Sequence, residues 1–117
     1  MSLIDPETLS SFRELQGDDH TFIPNYFRAF LAGLEEHLIK LKKAVIDQSS
    51  QSLANSAHAI KSSSANTGVQ SLSIICATLE ASGKAGSLVG AEALVADVDR
   101  LVSELKLEIA ALPEMKA

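Results

Sequence analysis

A chain of 117 residues with a formal charge of −5, 46% apolar residues, four Phe, one Tyr and no Trp has room for one compact domain with an aliphatic core. The acidic balance, with no basic stripe, excludes the usual nucleic-acid binder. A single cysteine, Cys76, excludes an intramolecular disulfide and a cysteine-based zinc site, and no apolar run approaches the roughly 18 residues of a membrane span.

Sparse Pro and Gly beside abundant Ala and Leu point to an all-α fold. The N-terminal MSLIDPETL lacks the basic and apolar regions of a signal peptide, so a cytoplasmic domain is expected. Asp5-Pro6-Glu7 is a helix start, with a capping acid, a proline suited to the first turn and an acid facing the helix dipole. The short first helix carries Leu9, Phe12 and Leu15 and stops near Gly17. Asp18 or Asp19 is expected to open a longer second helix, with Pro24 in its first turns. Its core stripe is Ile23, Phe27, Phe30, Leu34, Leu38, Leu41 and Val45, spaced by threes and fours.

Asp47 to Ser50 is turn material with Ser49 as N-cap of a third helix, which runs to about Asn66 and stops at Gly68. Its stripe of Leu53, Ala57, Ile60 and Ser64 is thin and small, so a neighbour can approach closely. The fourth helix carries Val69, Leu72, Ile75, Cys76 and Leu79 and is expected to end in a loop over residues 82–86. Ser87 should cap the fifth, with Ala91, Leu94, Val98, Leu101, Leu105 and Leu112 inward, Val95, Val102 and Ile109 broadening the stripe, and Pro113 as its end. These elements predict an antiparallel up-down four-helix bundle with a short N-terminal lid helix. Residues 1–117 form one domain with its core from about residue 4 to 112.

The core stripe of the third helix also fixes what lies off it. His58 follows buried Ala57 and is rotated about 100° from the core face. Lys61 and Ser62, at i+3 and i+4, share its outer surface. Imidazole ordinarily titrates at about 6.5, so a neutral nucleophilic nitrogen is available near neutral pH. Lys61 could offset the charge of a phosphoryl group carried there. Glu80 lies about as far beyond Gly68 as His58 lies before it, roughly 15 Å at 1.5 Å per residue, so antiparallel neighbours bring the two to one level. A carboxylate accepting from Nδ1–H would fix the tautomer and leave Nε2 free.

The run His58-Ala59-Ile60-Lys61-Ser62-Ser63-Ser64-Ala65-Asn66-Thr67-Gly68 resembles the histidine-phosphotransfer signature H-x-x-K-G-S-S-x-x-x-G, and the helical layout from about Ile4 to Leu112 is similar to that family. The resemblance implies a phosphorelay intermediate with His58 as phosphoacceptor, Lys61 beside the phosphoryl group and Glu80 bonded to the imidazole. Ser62 stands where the family usually has Gly, which tightens the approach or adds a hydroxyl. The resemblance further implies a monomer that is no enzyme in itself, holding no cofactor or metal. A response-regulator receiver domain supplies the aspartate and the Mg²⁺, and a hybrid sensor histidine kinase acts in cis or in trans. No nucleic acid and no direct membrane contact are expected. Phe12, Leu15, Ala54 and Ala65 are the docking candidates.

Competing readings fit the residues less well. A hydrolase pairing Ser62 with His58 lacks an oxyanion hole, and a metal site from His20, His37 and His58 lacks any ligand-pair spacing. The H-E-x-x-T/N-P-L pattern of a dimerising kinase hairpin is absent. A helical adaptor without phosphotransfer is the remaining rival, and the presence of both His58 and Lys61 favours the carrier.

Overall fold

The computed structural model describes residues 2–116. Among the described residues six helices follow one another: α1 (Pro6–Gln16), α2 (Phe22–Ile46), α3 (Ser50–Asn66), α4 (Gln70–Lys84), α5 (Ala91–Ala110) and a short α6 (Pro113–Lys116). Helices α2 to α5 close into an antiparallel bundle, α2 packing on α3, α3 on α4, α4 on α5 and α5 back on α2. The hydrophobic core is aliphatic apart from the Phe27 and Phe30 rings and the Cys76 thiol, with Leu34, Leu41, Leu53 and Leu105 among its buried residues.

Local chemistry accounts for the start of α1 and for both ends of α3. The Asp5 carboxylate accepts from Thr8 N–H and caps α1. Ser49 Oγ accepts from Ser52 N–H at 3.2 Å and caps α3. At the other end of α3, Gly68 takes φ +74°. There Gly68 N–H donates to Ala65 O at 3.2 Å and Val69 N–H to Ser64 O at 2.8 Å, the paired bonds of a Schellman stop, with Val69 buried behind them.

Several boundaries differ from the sequence expectation. Helix α2 begins at Phe22, not at Asp18 or Asp19; the Asp19 carboxylate instead holds a turn by accepting from Thr21 N–H and Oγ1. Pro24 is then the third helical residue, where a missing N–H breaks no intrahelical bond. Near its C-terminus α2 buries Ala44, leaving Val45 only half-buried, because the stripe continues by threes from Leu38 and Leu41. Helix α4 continues through Gly83 to Lys84, so Ser82 and Gly83 are helical. Gly90, at φ +75°, precedes α5, and Ser87 caps only its own turn by accepting from Val89 N–H. Helix α5 ends at Ala110, just ahead of Pro113, and Pro113 itself opens α6 at the position where a proline is best tolerated.

The first helix lies across one end of α2 as a lid. Its Phe12 ring stands 4.7 Å from Tyr26, 6.1 Å from Phe27 and 6.4 Å from Phe22, centroid to centroid. Gln16 Oε1 accepts from Ile23 N–H, and Arg13 pairs with Glu114 of α6 at 2.7 Å. Ahead of the lid, Ile4 is buried while Glu108 of α5 accepts from Leu3 N–H and Ile4 N–H.

Candidate functional site

The site lies where α3 and α4 face each other midway along the hairpin that turns at Gly68. The two chains run antiparallel from that turn, so α3 presents His58 and Lys61 at the level where α4 presents Glu80. Glu80 is a polar residue in a buried position, its side chain 6% exposed, and such a carboxylate requires partners. It has three. Oε2 lies 2.8 Å from His58 Nδ1 and 3.0 Å from Lys84 Nζ, and Oε1 lies 2.5 Å from Lys61 Nζ.

These donors decide the protonation of the site. Bonds from Lys61 first, then from Lys84 and His58, outweigh burial and hold the Glu80 carboxyl down at about 2. An ionised carboxylate only accepts hydrogen bonds, so His58 Nδ1 carries the proton in the neutral ring. Nε2 then keeps its lone pair, on a side chain that is 59% exposed. The imidazole is therefore oriented, fixed in one tautomer and open to an incoming electrophile.

The structure brings His58, Lys61 and Glu80 together and leaves Ser62 exposed one turn along the same helix. Lys61 turns its ammonium onto Glu80. Lys84 was missed by sequence reasoning, although its place four residues after Glu80 is the favourable Glu-to-Lys spacing on a helix. The docking candidates divide. Leu15 is 73% exposed and Ala65 is exposed. Ala54 is buried at the crossing with Gly83 and offers no open surface, while Phe12 is half-buried, its ring packed against the aromatic cluster of α2. Among the described residues no three His, Cys, Asp or Glu side chains gather as a metal cradle, and no helix is long and apolar enough to cross a membrane. Cys76 is buried in α4, and burial pushes its thiol up to about 12, which removes it as a nucleophile.

The sequence profile of the Hpt domain matches residues 25–114, a span that includes His58, Lys61, Glu80 and Lys84. The chain belongs to the Hpt domain family. Among solved structures it is similar to histidine-containing phosphotransfer protein B from Pseudomonas aeruginosa PAO1, with a TM-score of 0.87 and 27% identity over 97% of this chain and 96% of that one. Among curated proteins none matches. As an Hpt domain the chain has the helical fold that the sequence predicts, and the likeness to the Pseudomonas protein extends it over the lid helix that precedes the matched span.

Proposed function

We propose that the chain is a phosphorelay intermediate: His58 Nε2 accepts a phosphoryl group from a receiver-domain aspartate and hands it to the aspartate of another receiver. Membership of the Hpt domain family and the likeness to a histidine-containing phosphotransfer protein support the class of chemistry. The observation that carries the reading is the exposed imidazole whose Nδ1 is bonded to an ionised, buried Glu80.

In this reading Nε2 attacks the phosphorus of an aspartyl phosphate, the N–P bond forms and the P–O bond to the aspartate breaks. The receiver's carboxylate leaves with the electron pair, and no proton moves, because the attacking nitrogen bears none. The phosphorylated ring gains positive charge, which Glu80 offsets through Nδ1–H. Lys61 lies on the neighbouring turn to balance the phosphoryl oxygens. Most of the rate then comes from in-line positioning and from the Mg²⁺ held by the receiver, so the chain is a carrier and no enzyme in itself. It works as a monomer in the cytoplasm, with receiver domains and a hybrid sensor kinase, in cis or in trans, as its partners.

The test is incubation with a panel of phosphorylated receivers and Mg²⁺, comparing the chain with its His58→Gln variant. Acid-labile, base-stable label on the parent alone is the expected result. A folded parent that takes no label from any receiver would leave a binding-only adaptor as the function.

A further inference from the structure

A glycine inside a regular helix destabilises it relative to alanine, so Gly83, one residue before the end of α4, calls for a reason. Its backbone is ordinary helix and needs no special torsion. Its surroundings supply the reason. A Cβ placed on Gly83 would lie 2.6 Å from Ser50 O, 2.8 Å from Ala54 N and 2.9 Å from Ala54 Cβ. Two of these three atoms belong to the backbone of α3 and cannot rotate away.

This tight crossing of α3 and α4 stands one helical turn from the site on both helices. His58 is four residues after Ala54, and Glu80 is three residues before Gly83. Because the helices are antiparallel, both steps lead in the same direction along the hairpin. The spacing set at Gly83 is thus the spacing across which Glu80 reaches His58 Nδ1 at 2.8 Å. Relieving a 2.6 Å clash to the 3.4 Å of ordinary contact parts the helices by most of an ångström. A hydrogen bond of 2.8 Å does not survive that stretch.

We propose that Gly83 is a positioning residue for the phosphotransfer reaction: by letting α4 seat directly on the α3 backbone, it holds Glu80 on Nδ1 and so keeps His58 Nε2 unprotonated. The inference rests on His58 being the phosphoacceptor. Without the Glu80 acceptor an imidazole favours the tautomer with its proton on Nε2, and that nitrogen can no longer attack.

The experiment reads the ¹⁵N spectrum of the His58 ring in the full chain and, separately, transfer from a phosphorylated receiver. Gly83→Ala is expected to shift the neutral ring toward the Nε2–H tautomer. It should also lower the maximal transfer rate roughly tenfold to a hundredfold while KM changes much less. Ala54→Val enlarges the same crossing from the other helix, should give the same signature, and decides the matter if Gly83→Ala does not fold. Leu105→Ala, a core truncation in α5, matches the loss of stability and should leave the tautomer unchanged. A folded Gly83→Ala or Ala54→Val with the parent tautomer and rate overturns the proposal, and so does the same tautomer shift in Leu105→Ala. The tautomer readout needs no phosphoryl group, so it separates failure of this inference from failure of the carrier reading, which the labelling of the parent chain tests.

Discussion

Glu80 is shared by one imidazole and two ammonium groups, and its two roles, orienting and charge-balancing, separate by substitution. Glu80→Gln keeps a carbonyl that can accept from Nδ1–H but removes the negative charge. Transfer to that variant should be slowed by about tenfold, within the range of a single positioned electrostatic partner, as single-turnover kinetics with one phosphorylated receiver would measure. Acid stability should respond in the opposite sense. The Glu80 carboxyl titrates at about 2 in the folded chain, against 4.5 as its ordinary value. Between those two pH values the unfolded chain binds the proton that the folded chain refuses, so stability is full above 4.5 and is lost as pH falls toward 2. Urea midpoints across that window should therefore fall less steeply for Glu80→Gln than for the parent. Equal slopes would mean that the three donors do not hold the carboxylate in solution.

At the scale of the helices, the caps are the parts with the plainest energetics. Ser49→Ala removes the acceptor for Ser52 N–H and should cost about 1 kcal/mol. Urea denaturation checks it, as a lower midpoint with an unchanged slope. The cap was legible because a serine between a turn and a small-residue helix has few other uses. His58 and Glu80 were legible for a related reason: distances counted from Gly68 survive as long as both helices are regular, and they are. Gly83 was expected inside the loop over residues 82–86, since glycine serves equally as a helix stop and as a point of close approach, and only the neighbouring α3 backbone distinguishes them. Pro113 posed the same ambiguity between an end and a beginning. Ala54 was placed on the docking surface because a small residue suits either a partner domain or a tight crossing, and the crossing claims it. Lys84 was overlooked because the ion pair it makes depends on a buried Glu80, a burial that the spacing of apolar residues does not announce.

The described residues measure 48 × 23 × 20 Å, a rod whose exposed His58 imidazole lies along its flank and whose lid covers one end. Among the described residues, Glu108 holds the backbone at Leu3 and Ile4, and the Arg13–Glu114 pair joins the lid to α6. The interior holds Cys76, the one thiol in the sequence, fully enclosed and raised to about 12. A thiol reagent can meet it only when the helices part, so the sulfur is a stopwatch built into the rod. With an aromatic disulfide reagent the native chain should release almost no chromophore, and in denaturant it should release one equivalent. At intermediate urea the labelling rate should rise in step with the loss of helical circular dichroism. Fast labelling of the native chain would instead reveal that α4 swings away from its neighbours without global unfolding. Since α4 carries Glu80, the same clock would then be timing how often the imidazole loses its anchor.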